Sequence, residues 1–390
     1  MSQMRKSPAP MPWLRYTPEV GPGDCKSRQA KGAVLLPLCQ SSKALRFAIL
    51  GFSATHLYVT RTQRSDDMYD LPHRLRLKAT ERLNTQINQH LGRWCETSMP
   101  KTSSMVEIIA TMLVLCHIEM LMPRSTHWTL HLRACREVWD LEHRAIQSSG
   151  SAEPFMEFFE KALADLEAFE SLTSFPPEHK LADSELKQPA PRDRFWIFLA
   201  VVREVTFTER LRYSRLIQGL TNPDMDMRSW TDKISHARFL AFYHPSFILD
   251  SSQHLRVVFR MVADAHYHAG LIYSYQALAP PAKHEDLVRM FVDALFSEIQ
   301  FIVRGDWRNF DHDLFWPLFI AGTESGFDTH RQATIQSYYE HLMAATGFCC
   351  NAESLGFLQD YWAYTTLGYS DTWIQYARVR DTATRPFLVY

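Results

Sequence analysis

The sequence has little glycine and no closely spaced cysteine pair of the C-x-x-C type. Fourteen glycines among 390 residues are few, and a low glycine count is typical of chains in which helices outnumber turns. The seven cysteines are scattered through the chain: Cys25, Cys39, Cys95, Cys116, Cys135, Cys349 and Cys350. Neither a disulfide framework nor a structural zinc site is therefore predicted.

The sequence also lacks an excess of charge of either sign, a signal peptide and a long apolar run. Its 42 Lys and Arg residues stand against 43 Asp and Glu residues, so the net charge is −1. Such a chain has no overall field that attracts DNA phosphates or an anionic membrane. No run of 18 apolar residues is free of charge, and no apolar segment follows Arg5 and Lys6. We expect no membrane partner, and a location in the nucleus or the cytoplasm.

What the sequence does contain is ample material for a large helical core. Hydrophobic residues make up 46% of it and aromatic residues 13%. Residues 1–40 are different, because they carry six prolines and predict a loosely ordered arm. We predict one helical domain over residues 41–390, and the proline-containing linker 174–193 is a candidate boundary between subdomains.

Apolar residues at helical spacing predict an all-α fold. Leu75, Ala79, Leu83, Ile87 and Leu91 recur every four residues, as on one face of an amphipathic helix. The segment 104–122 is apolar nearly all round, which predicts a central helix. Further helices are predicted over about 43–63, 126–146, 194–220, 285–304, 333–346 and 352–366, with another beginning at Pro154 and shorter helices around His236 to His268.

Four apolar stretches carry a family resemblance. They are Leu35–Leu38 with Ala44–Leu57, then Ile108–Cys116, Trp128–Ala134 and Asp313–Arg331. In this order they resemble the fungal-specific transcription factor domain, the helical regulatory region that follows a zinc cluster in many fungal regulators. The resemblance extends from about Leu35 to about Tyr364. It implies an array of antiparallel helices and a role in the regulation of transcription, for instance of a secondary-metabolite gene cluster.

One feature of these regulators is missing from the sequence. Their zinc cluster needs six closely spaced cysteines, whereas the first forty residues contain only Cys25 and Cys39. We therefore expect no direct sequence-specific DNA binding by this chain, no metal and no cofactor. It would act as a homodimer, through a partner regulator or by binding a small apolar effector.

The stretch Asp313–Arg331 is the most promising place for a ligand. Pro317 suits a first helical turn, and Gly322 lets another helix come close. Glu324 and Arg331 are seven residues apart, a spacing that places two side chains near one face of a helix. Aromatic residues would line an apolar pocket and polar residues would orient the ligand. The candidate ligand-binding residues are Trp307, His312, Trp316, Phe319, Glu324, Phe327 and Arg331.

An alternative function is an enzyme that cyclises or rearranges an apolar metabolite on the same helical scaffold. The sequence does not distinguish an effector in this pocket from a substrate. Asp66–Asp70 spells DDxxD, a magnesium-binding pattern of terpene cyclases, but we interpret it as a polar loop between helices because no second metal motif follows. Asp264 and His268 share a helical face without a third ligand, and Asp313 is the predicted N-cap of the helix after it.

Overall fold

The computed structural model describes residues 38–60, 66–94, 102–149, 154–175, 196–242, 253–279, 284–305, 310–381 and 387–389. Every regular element in these ranges is a helix, which confirms the all-α prediction. The α-helices are α1 Lys43–Thr60, α2 Asp66–Trp94, α3 Thr102–Leu121, α4 Trp128–Ser149, α5 Pro154–Thr173, α6 Trp196–Ile217, α7 Met227–Phe242, α8 Gln253–Leu278, α9 Glu285–Arg304, α10 Phe315–Thr323, α11 Thr329–Thr346, α12 Asn351–Thr366 and α13 Trp373–Asp381. Within the same ranges, no helix has the length and apolar character needed to cross a membrane.

Backbone contacts group the described residues into two compact units. Unit 1 contains the described residues up to Glu167 together with Thr346–Cys350, and unit 2 contains those of Ala168–Ala345 and Asn351–Tyr390. The predicted arm lies outside the described residues except for positions 38–40, and the predicted linker lies outside them except for positions 174 and 175. The single domain therefore stays a prediction.

Unit 1 is organised around α3. Every residue from Met105 to Leu121 is buried, and α1, α2 and α4 all pack against this helix. A helix that is apolar on all sides is stable in water only when other elements surround it. The prediction of a central helix is confirmed.

The buried carboxylates of α3 are held by side chains of unit 1. Glu119 accepts hydrogen bonds from the Arg76 guanidinium, at 2.7 Å, and from Ser125. Near the other end of the helix, Glu107 accepts hydrogen bonds from Ser41 at 2.5 Å and from Gln86 at 2.7 Å. Because Arg76 and Gln86 both belong to α2, these bonds hold α2 against α3 near both ends of α3.

The segment Thr346–Cys350 completes unit 1. The Cys350 amide donates to the Met120 carbonyl at 2.9 Å. Gly347 has a φ of +80°, and a Cβ added there would lie 2.9 Å from the nearest side-chain atom of Val59. Any other residue at this position would be strained in its backbone and would collide with α1.

Unit 2 is organised around α8, a helix of 26 residues. Helices α6, α7, α9 and α10 all contact it. One part of its core is built from Phe198 of α6, Ala237 and Ala241 of α7, and Phe259 and Ala263 of α8. The small alanines let α7 and α8 pack closely, so that the two phenylalanine rings fill the remaining space.

Four details differ from the sequence predictions. Helix α2 begins at Asp66, so the DDxxD stretch is helical and not a loop; acidic residues suit a helix N-terminus, where the helix dipole is positive. The region around His236 to His268 forms two long helices, α7 and α8. Helix α13 was not predicted, because nine residues give little periodic signal. Asp313 is not an N-cap, because it lies in a 3-10 helix, Asp311–Leu314, and Leu314 precedes α10.

Candidate functional site

Helix α10 lies inside unit 2 and contains no ionisable residue. All nine residues from Phe315 to Thr323 are buried. Pro317 is the third of them, in the first turn, where its missing N–H leaves no intrahelical hydrogen bond unmade. The Thr323 hydroxyl donates to the Ile320 carbonyl within the helix at 2.7 Å, and further partners come from neighbouring helices.

Gly322 sets the distance between α10 and α12. A Cβ added to Gly322 would lie 2.5 Å from Leu358 Cδ1, so only glycine fits here without displacing Leu358. One turn further along α12, the Trp362 indole donates from Nε1 to the Gly322 carbonyl at 2.8 Å. The predicted close approach at Gly322 is confirmed, and a buried hydrogen bond fixes it.

Gln276 of α8 joins the end of α10 to α13. Its amide nitrogen donates to the Thr323 hydroxyl at 2.8 Å and to Glu324 Oε1 at 2.5 Å. Its amide oxygen accepts a hydrogen bond from Trp373 Nε1 at 2.8 Å. Desolvation raises the pKa of Glu324, and the hydrogen bond from Gln276 works in the opposite direction. Glu324 is thus an exposed residue whose carboxylate is held by a hydrogen bond from Gln276.

Trp316 lies beside a small apolar cavity. The cavity is lined by Trp316 and by seven further residues of unit 2: Phe198, Val201, Val202, Val205, Ile234, Gly270 and Tyr273. It has room for about one water molecule. Trp316 Nε1 is buried and has no hydrogen-bond partner among the described residues. A metabolite-sized ligand would require these helices to move apart.

His266 packs against the Trp316 ring, with the ring centroids 5.6 Å apart. Burial lowers the pKa of His266 to about 4, although its hydrogen bond to the Val262 carbonyl favours the protonated form. The imidazole is therefore neutral near pH 7, and the 2.9 Å contact with Val262 places its proton on Nδ1.

The other candidate residues lie in different surroundings. Phe319 packs against Trp373 and Phe357, with ring centroids 5.3 and 6.0 Å away. The Phe327 side chain is 79% exposed. Arg331 pairs with Asp293 and with Asp328.

The five candidate side chains that the structure describes lie in different surroundings: Trp316 lines the small cavity, Phe319 packs against Trp373, and Phe327 is exposed. Trp307 lies outside the described residues, and of His312 only the backbone is described. Glu324 and Arg331 do not share a helical face, because α10 ends at Thr323 and α11 begins only at Thr329. Ligand binding by these residues stays a prediction.

A buried charged cluster was not found from the sequence. Glu209 pairs with Arg210 and with Arg378 of α13. Arg210 also donates to the carbonyls of Ser171 and Leu172, at 3.1 and 3.2 Å, at the end of α5. Because 169 residues separate Glu209 from Arg378, no local pattern could have revealed the pair.

Asp264 and His268 of α8, for which the sequence offered no third metal ligand, each have a partner on another helix. Asp264 binds Arg238 of α7 at 2.6 Å. His268 contacts Glu298 of α9 at 3.0 Å, and desolvation raises the pKa of Glu298 against the effect of that histidine. In the part of the chain that the structure describes, no three His, Cys, Asp or Glu residues are grouped as a metal site.

Comparison with known protein families gives a match over most of the chain. The family described as the fungal specific transcription factor domain matches residues 23–383. No curated protein and no solved structure matches the chain. The match covers both units and includes all four stretches that carry the resemblance.

Proposed function

Because the chain belongs to the family of the fungal specific transcription factor domain, we propose that it controls transcription by binding an effector or a partner protein. The observation that carries the proposal is the extent of the family match, which covers residues 23–383. It spans every helix from α1 to α13, so the regulatory region is present with both of its compact units.

The cysteine content favours indirect action on DNA. These 390 residues contain no C-x-x-C pair and no group of six closely spaced cysteines. The net charge of −1 gives no general attraction to phosphates either. In this proposal the helical domain acts in the nucleus, as a homodimer or with a regulator that binds DNA, and its targets belong to a secondary-metabolite gene cluster.

Two features around α10 support effector or partner binding. Glu324 combines an exposed carboxylate with an anchor at Gln276, which also holds Trp373 of α13. A contact made at Glu324 would therefore act directly on the position of α13. Phe327 is an exposed aromatic side chain only three residues away, and such residues are enriched where proteins bind each other.

A tethered reporter assay tests the proposal. The chain is fused to a heterologous DNA-binding domain, and reporter transcription is measured in a fungal host. We expect the fusion to change transcription relative to the DNA-binding domain alone. Phe327→Ser should lower this effect without changing the melting temperature. Leu367→Ser is the matched control, because Leu367 is 77% exposed and Phe327 79% exposed.

The result that would defeat the proposal is a folded fusion with no effect on the reporter. Deletion of the gene followed by transcript sequencing tests the finer claim. If the changed transcripts are scattered through the genome, the link to one gene cluster is wrong. A gel-shift titration with the purified chain should show no sequence preference at physiological salt.

The enzyme alternative has no supporting observation in the described residues. The cavity beside Trp316 has room for about one water molecule, and Glu324 lies outside its lining. Catalysis therefore stays the untested alternative to regulation. Turnover of an apolar metabolite that is lost in Glu324→Ala would establish it.

A further inference from the structure

Residues Phe387–Val389 are buried although they belong to no helix. Leu388 and Val389 are fully buried, and Phe387 is partly buried. The three residues follow α13 in the sequence, and they lie within unit 2. Three apolar residues outside the regular structure thus occupy space in the interior.

The position of this segment is set by three residues of unit 2. The Phe387 ring lies against Phe357 of α12, with centroids 4.8 Å apart, and against Phe319 of α10, at 5.9 Å. The hydroxyl of Thr173, the last residue of α5, donates to the Phe387 carbonyl. We call Thr173, Phe319 and Phe357 the seat of the segment.

Against the described residues, the segment is held mainly by its side chains. The bond from Thr173 to the Phe387 carbonyl is the one main-chain hydrogen bond of residues 387–389 with the described residues, and none of the three belongs to a strand or helix. Segments with few main-chain hydrogen bonds open at lower free energy than the helices around them. The segment can therefore leave its place without breaking a helix.

The seat has contacts of its own that do not involve the segment. Phe319 and Phe357 both pack against Trp373, with centroids 5.3 and 6.4 Å away and nearly perpendicular rings. Phe357 also packs against Tyr376. Because α10, α12 and α13 hold these rings independently, the seat is expected to keep its shape when the segment leaves.

We propose that the seat is a binding site for an extended apolar peptide, and that its occupant is the chain's own segment Phe387–Val389, which exchanges with the same sequence supplied from outside. This inference does not depend on the effector or partner proposed above. It adds to the domain a peptide site that is closed while its own segment is in place. Its specificity rests on an aromatic residue between Phe319 and Phe357 and on a carbonyl that faces Thr173.

The test uses the full chain and a fluorescent peptide with the sequence Arg385–Tyr390. In the chain variant Phe387→Ala/Leu388→Ala the internal occupant is weakened. We expect this variant to bind the peptide at least about tenfold more tightly than the unaltered chain does, by fluorescence polarisation. The control variant is Val379→Ala/Leu367→Ala, which removes two exposed apolar side chains from the same unit. It should bind the peptide with the same affinity as the unaltered chain.

Two further substitutions locate the site. A peptide in which the residue matching Leu388 is aspartate should not bind. Adding Phe357→Ala to the chain variant should weaken binding of the original peptide about tenfold or more. Far-UV circular dichroism and the melting temperature show whether each variant remains folded. If the double variant does not fold, Leu388→Ala alone is used, because it weakens the segment's packing less.

Three results would overturn the proposal. One is a folded variant that does not bind the peptide. Another is a variant that binds an apolar dye but shows no preference for the original peptide over the aspartate peptide, which would indicate unspecific apolar surface. The third is loss of helical structure in both the double variant and Leu388→Ala, because the segment would then be an indispensable part of the core.

Discussion

Helices α3 and α10 are both buried and both almost wholly apolar, yet they satisfy their polar groups in opposite ways. In unit 1, α3 carries two buried carboxylates of its own. Glu119 is paired with the Arg76 guanidinium, whereas Glu107 accepts hydrogen bonds from the neutral side chains of Gln86 and Ser41. In unit 2, α10 has no ionisable residue. Its Gly322 carbonyl accepts a hydrogen bond from the Trp362 indole, and its Thr323 hydroxyl accepts one from the Gln276 amide. The difference teaches that α3 depends on side-chain partners for its buried carboxylates, above all the charge pair at Glu119, whereas α10 depends on the close approach of α12 at Gly322.

The strongest test of this contrast is to break the charge pair of α3. Arg76 is 30% exposed and Glu119 only 2% exposed, so Arg76→Leu leaves a buried carboxylate without its cation. We expect a loss of about 3 kcal/mol in the free energy of unfolding, measured by urea denaturation.

The matched control is Arg74→Leu, which removes an ion pair with Asp70 that is 63% exposed on both sides. It should cost no more than about 0.5 kcal/mol. The double variant Arg76→Leu/Glu119→Leu should recover most of the lost stability. If it is as unstable as Arg76→Leu alone, charge pairing is not what holds α3.

A second test removes the close approach at α10. Gly322→Ala places a methyl group 2.5 Å from the present position of Leu358 Cδ1, so Leu358 or α12 must move. We expect a loss of about 2 kcal/mol from this overpacking, measured in the same way.

Gly356→Ala is the control, because a Cβ at this position of α12 would meet nothing within 4 Å. Alanine has a higher helix propensity than glycine, so this variant should be as stable as the original chain or slightly more stable. Equal losses at Gly322 and Gly356 would show that the effect is not one of packing.

A third test uses pH, to which both helices should respond alike. Burial lowers the pKa of His117 in α3 to about 4 and that of His266 beside α10 to about 4. An unfolded histidine titrates near 6.5. As the pH falls below about 6.5, these histidines become protonated in the unfolded chain but stay neutral in the folded chain. The free energy of unfolding therefore decreases until the pH reaches about 4.

The expected loss from each histidine between pH 7 and pH 5 is up to about 2 kcal/mol. Glutamine keeps a hydrogen-bond donor but does not titrate, so His117→Gln should flatten the dependence of stability on pH. His266→Gln should do the same for unit 2. Variants whose stability declines in parallel with that of the original chain would mean that other groups cause the acid sensitivity.

The smallest effect is expected from the hydrogen bond between α12 and α10. Trp362→Phe keeps most of the ring but removes the Nε1 donor that binds the Gly322 carbonyl at 2.8 Å. We expect a loss of about 1 kcal/mol. Trp373→Phe, which removes the donor to Gln276, is the comparison within the same unit. If Trp362→Phe loses much more than about 1 kcal/mol, packing of the indole ring matters more than its hydrogen bond.

The helices were predictable where one face is buried. Helix α9 has the predicted bounds, Glu285–Arg304, because Val292, Leu295, Phe296, Ile299 and Ile302 are buried at helical spacing. The interior position of α10 followed from its composition in the same way. Helix α13 escaped prediction, since its nine residues are too few to show a clear helical periodicity.

The candidate site was less predictable, because it depends on which helices meet. Trp316 and Phe319 are three residues apart on α10, yet the first contacts His266 and the second contacts Trp373. Gln276, which connects Thr323 with Trp373, was not recognised at all. Its partners are 47 and 97 residues away, and no spacing rule reaches that far.

The return of Thr346–Cys350 to unit 1 has a consequence for synthesis on the ribosome. Helices α1 to α4 leave the ribosome early, but the Cys350 amide that binds Met120 is made about 230 residues later. The nascent unit 1 must wait for most of unit 2 to be translated before this last piece arrives. A premature stop codon ahead of Thr346 would therefore damage both units, including the one whose helices had already been made.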